Sequence, residues 1–472
     1  MSGGRRRCAA RHTRRRAAAG TASRDGAVRA EADAAPAPGT GPRLVRAIGV
    51  WGLAAGIVNV TIGGGIFRLP AGAAAQLGAA APLAYLVCIA AMTFIVICFA
   101  DAGSRVPMTG GPYAYVETAF GPFIGFLTGA LLWVGITLAL SAVSTFFADS
   151  LFALFPTFGA RATRGLLVAI LVVLGVANAR GVAGVTRFNV LATVAKLVPL
   201  LLLIGVGAFA MRSANLRIAA VPTAAGISRA SLLLIFAFLG VESALVPSGE
   251  VADPSRTVPR AIWIAMATIA ALYVAIQVVA QGLLGSALAT DPTPLASAAA
   301  VAMGPVGYRL ILVGSAVSMF GYVSGMTLAV PRMLFALARD GFLPGPLAAV
   351  HPRWHTPHLA IAAQTAIVIG VALFGNFEVL AVAANVTILL VYAVCCVAVV
   401  ELRRRRVTGG GIPFAVPLAG AAPWLALLVI GWMLWSLSAG EWRAAGLILV
   451  VAVVVFVVTL PSRRRRAPSI TR

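Results

Sequence analysis

Three charged side chains stand where the surrounding sequence leaves little room for charge. The chain's single lysine, Lys196, lies in Leu191-Ala192-Thr193-Val194-Ala195-Lys196-Leu197-Val198-Pro199. Glu242 follows Phe236-Ala237-Phe238-Leu239-Gly240-Val241, and Arg68 follows Ile62-Gly63-Gly64-Gly65-Ile66-Phe67. An ionisable group inside an apolar run is costly and marks a functional position by default. Removal from water disfavours the ammonium form, so a lysine in such a place is suited to exchange a proton. Glu242 reads as a gate or ligand contact, or else as a partner for a donor within the protein. Arg68 reads as an attractor of anionic ligands or as a side chain reaching for the interface. Two of these three charges sit beside glycine breaks. A glycine costs a helix interior about 1 kcal/mol relative to alanine. In a bilayer, a freed N–H or C=O has no water to bond, so irregular backbone survives only inside protein or along a polar cavity. The glycine stretches therefore point to a site built from main chain.

The elements that carry these residues are membrane spans. Of 472 residues, 60% are hydrophobic and 11% charged, with a mean hydropathy of +0.96. A soluble domain carries about 25% charged residues, so the composition predicts an all-α polytopic membrane protein. Runs such as Leu83 to Ala100 and Ala444 to Leu460 approach the roughly 20 residues that a bilayer core requires. Twelve spans are expected: 47–77 (broken), 82–101, 122–150, 164–179, 188–210, 229–249 (broken), 259–285, 303–338, 358–375, 378–400, 414–437 and 443–460. Residues 1–42, rich in Ala, Arg and Gly, read as a disordered basic tail, and 461–472 as a second basic tail. With both termini cytoplasmic, 28 of the 37 Lys and Arg fall inside and 7 outside, as the positive-inside rule requires. This placement accounts for the net charge of +23 without nucleic acid as a partner.

The two broken spans are five helices apart. Paired Gly/Pro interruptions in corresponding helices of two halves point to a secondary transporter's substrate site. Because five is odd, the two five-helix units have opposite orientations, and a charged ligand would bind between the breaks at exposed N–H and C=O groups. Other chemistry is thinly represented. His351, His355 and His358 are separated by Pro352 and Pro357 and read as a solvated loop rather than a metal site. The cysteines, an odd number without framework spacing, read as reduced packing residues. There is no Walker lysine motif, catalytic carboxylate pair or Ser–His–Asp set, so no enzyme, cofactor or metal is expected. Trp133, Thr137 and Ser141 share one face of the third span, and Ser318, Tyr322 and Gly325 form a similar stripe on the eighth. Either stripe would serve a pocket or helix packing. Pro331 is expected to kink the eighth span.

Four ordered blocks carry a family resemblance. They are Ile62-Gly63-Gly64-Gly65-Ile66-Phe67; Asp101-Ala102-Gly103-Ser104-Arg105-Val106-Pro107 with Gly110-Gly111-Pro112-Tyr113-Ala114-Tyr115; Phe236 to Ser243 running into Gly249 to Ile262; and Arg332 with Ala338-Arg339-Asp340-Gly341-Phe342-Leu343-Pro344. Over residues 46–460 the chain resembles an amino acid permease of the amino acid–polyamine–organocation superfamily. The first block follows that family's Gly-Ser-Gly-Ile-Phe pattern, with Gly64 in place of serine. The resemblance implies a LeuT-type transport core over 43–400. Its repeats would be about 43–212 and 226–400, with peripheral helices 11 and 12 over 401–460.

By that likeness, a substrate carboxylate meets the N–H groups of Gly63, Gly64 and Gly65. The amino group meets carbonyls near Ile62 and of Phe236, Ala237 and Leu239. Ile66, Phe238 and Gly240 complete the two stretches. In similar permeases a helix 5 lysine, matched here by Lys196, reaches the broken segment of helix 1 in place of a sodium ion. The expectation is a plasma-membrane secondary transporter of amino acids, with the proton as coupling ion. An amino acid/amine exchanger is the alternative within the class. A channel or a non-transporting sensor is the alternative outside it. Nothing in the chain specifies an oligomeric state.

Overall fold

Prolines open many of the helices, because a proline in the first turn gives up an N–H that has no partner there. In the computed structural model, Pro70, Pro82, Pro112, Pro122, Pro294 and Pro423 occupy such positions. Two further starts are capped by side chains: Thr223 accepts from Gly226 N–H, and Asn376 from Val379 N–H. The structure describes residues 49–106, 111–155, 157, 159–181, 185–218, 220–240, 254–408, 418 and 420–466. Among them are fourteen α-helices and no strand. The helices are α1 (Val50–Thr61), α2 (Leu69–Leu77), α3 (Pro82–Arg105), α4 (Pro112–Phe120), α5 (Pro122–Leu154), α6 (Gly159–Ala179) and α7 (Val185–Ala210). They continue with α8 (Ala224–Leu234), α9 (Pro254–Leu284), α10 (Pro294–Arg339), α11 (His358–Phe374), α12 (Phe377–Arg404), α13 (Ala422–Trp435) and α14 (Ala439–Arg466). Seven helices are long and apolar enough to cross a membrane, and five shorter apolar segments accompany them.

Helices that are apolar all round must be buried or face lipid, and both kinds occur. α12 packs against α5, α4 and α3, α10 against α7 and α5, and α9 against α1 and α3. The shared core includes Tyr85, Tyr273, Tyr392, Ile57 and Phe238. α14 is mostly exposed, with Leu447, Val450, Val454 and Val458 turned outward. Phe456 fastens it against Phe123 and Phe126 of α5, and the Arg229–Glu441 pair fastens it to α8.

Two details differ from the sequence-based expectations. The 112–120 stretch, read only as part of a connecting motif, is a helix of its own, turned into α5 by Gly121 at φ 85°. Pro331 lies within a run of helical backbone. The break in α10 comes instead at Gly304, φ 68°, directly before Pro305. A residue preceding proline is driven out of the helical region, and glycine alone takes this φ at no steric cost.

At one end of α3, a carboxylate is held between two arginines. Asp101, 1% exposed, accepts from Arg105 Nε at 3.0 Å and from Arg403 Nε of α12 at 2.6 Å. Arg105 also donates to the Val407 carbonyl. The conspicuous acidic residue of the second resemblance block thus locks α3 to the end of α12.

Candidate functional site

Where α1 ends, the chain leaves helical geometry. Ile62 closes α1 with ψ 79°, Gly63 N–H turns back to the Thr61 carbonyl at 2.8 Å, and a single 3₁₀ turn, Gly65–Phe67, leads into α2. Phe67 and Arg68 N–H bond to the Gly64 and Gly65 carbonyls. The N–H groups of Gly64, Gly65 and Ile66 carry no backbone hydrogen bond among the described residues. Consecutive unpaired N–H groups at the start of a helical segment form a natural anion cradle.

The second break has a matching form. α8 gives way to a 3₁₀ turn, Ile235–Phe238, then to Leu239 in extended geometry and Gly240 at φ 102°. That φ belongs to the left-handed region, where a side chain is strained. The two 3₁₀ turns touch. Tyr273 of α9 lies between the second turn and the end of α1, its hydroxyl 2.8 Å from the Ala237 carbonyl and 3.2 Å from the Thr61 carbonyl.

The glycines of the first break have different neighbours. A Cβ on Gly65 would stand 2.8 Å from the Phe236 ring, so glycine permits the two breaks to meet. A Cβ on Gly64 would stand 2.6 Å from Met319 Cγ and 3.2 Å from Val143 Cγ1. The serine of the family pattern would therefore collide with Met319 here. Gly63 faces open space, with nothing nearer than 4.0 Å. A cavity of about 30 Å³ lies there, lined by Gly63, Gly64 and Gly65 of the first break, Phe236, Ala237 and Leu239 of the second, and Ala139, Val143 and Tyr322. Thr61 also lines it, and its buried hydroxyl makes no hydrogen bond among the described residues.

Of the residues singled out in the sequence, Gly63, Gly64, Gly65, Phe236, Ala237 and Leu239 line this cavity. Ile62, Ile66 and Phe238 send their side chains into the apolar core, and Gly240 forms the turn beyond the second break. Lys196, 7% exposed, donates from Nζ to the Asn59 carbonyl at 2.5 Å. Its charge thus stands at the carbonyl end of α1, where the helix dipole favours a cation. Glu242 lies outside the described residues, as does the 1–42 tail.

Arg68 neither snorkels freely nor reaches the cavity. Its guanidinium pairs with Glu378 of α12 at 2.8 Å and donates to the Pro292 carbonyl at 2.6 Å. It thereby ties the start of α2 to α12 and to the 285–292 segment. A larger cavity, about 800 Å³, lies between α2, α8, α12 and α14, with Arg68–Glu378 and Arg229–Glu441 in its walls.

The stripe at Trp133, Thr137 and Ser141 turns away from the site. Trp133 Nε1 donates to Gln364 Oε1 at 2.8 Å, and Gln364 Nε2 to Thr137 Oγ1 at 3.1 Å, so this face packs on α11. The cavity-facing positions of α5 are instead Ala139 and Val143, small residues that carry no polar signal. Tyr322 of the α10 stripe does line the cavity. His351 accepts at Nδ1 from the Arg353 and Trp354 N–H groups, and so serves its own loop.

Comparison with known proteins adds the family context. The family model described as amino acid permease matches residues 48–462. A methylthioribose transporter of Bacillus subtilis (strain 168) is 28% identical, covering 88% of this chain and 93% of its own length. The serine/threonine exchanger SteT of the same organism is 27% identical over 87% and 95%. Its branched-chain amino acid permease BcaP is 26% identical over 83% and 89%.

Proposed function

Because the chain belongs to the amino acid permease family, we propose that it is a proton-coupled, sodium-independent secondary transporter of amino acids in the plasma membrane. The observation that supports this reading is the run of N–H groups at Gly64, Gly65 and Ile66 that have no backbone partner among the described residues, abutting the carbonyl-bearing turn Ile235–Phe238. A zwitterion needs both: donors for its carboxylate and acceptors for its ammonium. In this reading twelve spans form two inverted five-helix repeats with two peripheral helices, and both termini are cytoplasmic. Lys196 carries the coupling proton at the end of α1.

Reconstitution into proteoliposomes tests the proposal. A pH gradient should drive saturable, concentrative uptake of an amino acid, and a sodium gradient should not. Transport only with substrate loaded on the opposite side would assign an exchanger, and no transport under either condition would leave a sensor. Methylthioribose belongs in the same panel because one relative bears that name. A site that needs both ends of a zwitterion should take it poorly.

Arg68 and Glu378 bridge α2 and α12 on one side of the breaks, and alternating access requires such a bridge to open. Glu378→Gln is expected to raise the rate of counterflow exchange several-fold, since a partly exposed pair is worth about 1 kcal/mol or less. The charge-reversed pair, Arg68→Glu with Glu378→Arg, should return it toward wild type. Equal rates in all three proteins would remove the pair from the transport cycle.

A further inference from the structure

The larger cavity, about 800 Å³, is a separate place that shares no lining residue with the small one between the breaks. Its walls change character along two helices. On α12, Glu378, Val382 and Val386 line it at i, i+4 and i+8, which is one face of the helix. On α14, Glu441, Ala445 and Ile448 line it at i, i+4 and i+7. Each stripe starts with a carboxylate in the first turn and is apolar afterwards. The two helices run the same way, since the later turns of both meet the α4–α5 region, at Cys395–Pro112 and Phe456–Phe126. The charged ends of the stripes therefore share one end of the cavity. From Glu378 to Val386 the helix rises about 12 Å.

Each carboxylate holds an arginine. Arg229 of α8 gives two of a guanidinium's five N–H donors to Glu441, at 2.7 and 2.6 Å. Arg68 pairs with Oε1 of Glu378. All four side chains keep part of their surface exposed, so a ligand can join the pairs without breaking them. Leu233, one turn beyond Arg229, adds to the apolar wall. α14 turns Leu447, Val450, Val454 and Val458 outward, as a helix bordering lipid does.

A ligand suited to this space carries both signs of charge at its head and an apolar tail. Guanidinium donors match a phosphate, a carboxylate matches an ammonium, and the apolar stripes favour a tail that gains by leaving water. A free amino acid or phosphoethanolamine supplies only the head. We infer that this cavity binds one phospholipid of the bilayer with a zwitterionic, ammonium-bearing headgroup. Its phosphate lies beside Arg229, its ammonium beside Glu378, and an acyl chain runs between Val382–Val386 and Ala445–Ile448. The lipid joins α14 to α8 and α12.

Native mass spectrometry of the full chain, released from the membrane in mild detergent, tests this without any transport measurement, so its result is independent of the transport reading. Wild type should retain one phosphatidylethanolamine. On titration, phosphatidylglycerol, which lacks the ammonium, should bind at least about tenfold more weakly, the loss of one charge-assisted contact. Ala383→Phe, which fills the cavity from α12, and Arg229→Gln should each retain the lipid at least about tenfold less. Soluble phosphoethanolamine and alanine should not displace it.

Equal affinity for the two lipids would overturn the headgroup assignment. Equal retention by Ala383→Phe would overturn the site and leave only the lipid that coats any membrane protein. Displacement by phosphoethanolamine or alanine would overturn the proposal in favour of a soluble ligand. Arg229→Gln also weakens the tie to Glu441, so its folding is checked by gel filtration. Should it fail to fold, Ala383→Phe, which keeps both ion pairs, decides the matter.

Discussion

Replacing Lys196 with methionine is expected to reduce pH-gradient-driven accumulation by roughly ten- to hundredfold, the equivalent of losing a charge-assisted hydrogen bond worth about 1.5–3 kcal/mol. Methionine keeps the length and apolar stem of lysine but has neither charge nor donor. The Asn59 carbonyl would lose its contact with Nζ, and the negative end of α1 would face an apolar group. Counterflow exchange, which needs no net proton movement, should suffer less than accumulation. Lys196→Arg separates charge from proton transfer. Arginine keeps its positive charge at all accessible pH values, so it should retain the fold and still fail to accumulate. Unchanged accumulation in Lys196→Met would sink the assignment of proton coupling to this residue. The measurement is labelled-substrate uptake into proteoliposomes with an imposed pH gradient.

The second large effect concerns stability. Asp101→Ala is expected to cost about 3–5 kcal/mol, because removing one partner of a buried ion pair leaves uncompensated charge behind. Here one buried carboxylate serves two guanidiniums, Arg105 and Arg403, so a single truncation takes the same partner from both. The detergent-solubilised variant should melt well below wild type, and α3 should separate from the end of α12. Asp101→Asn keeps the shape and one acceptor oxygen, and should lie between the two. A melting temperature equal to wild type in Asp101→Ala would mean that the cluster is solvated and adds little. If Asp101→Ala fails to accumulate in the membrane, Arg403→Met offers a milder test, since Asp101 then keeps Arg105.

How much of this was legible in the sequence depended on whether the signal was local. The breaks at Ile62–Phe67 and Phe236–Gly240 stood out because glycine inside an apolar run is costly in both helix propensity and backbone solvation. Lys196 stood out because nothing around it shares its charge. The Asp101–Arg105 spacing is one helical turn and visible to any reader of i,i+4 pairs. Its stronger partner, Arg403, is 302 residues away, and Glu378 is 310 residues from Arg68. No periodicity reports such distances.

Periodicity also does not say which neighbour a face will meet. The polar stripe Trp133–Thr137–Ser141 was correct as a stripe, yet it found Gln364 of α11, and the cavity took Ala139 and Val143. Met319 was invisible for a related reason. A methionine in an apolar helix carries no mark until the fold sets it against Gly64. The kink in α10 followed Gly304-Pro305 rather than Pro331, because a glycine before proline can leave helical geometry at little steric cost.

The hydroxyl of Tyr273 has a mechanical meaning. It lies within hydrogen-bonding range of one carbonyl from each interrupted segment, at Thr61 and at Ala237, on a helix that packs along α1. The hydroxyl has a single proton for the two carbonyls, so pulling Thr61 away from Ala237 leaves one of them without its share, at no more than about 0.5–1.5 kcal/mol. A displacement that carries α9 along with both segments keeps the hydroxyl at the same two carbonyls. The two interruptions are thus ganged like a pair of switches on one bar, and the less costly displacement moves them in step.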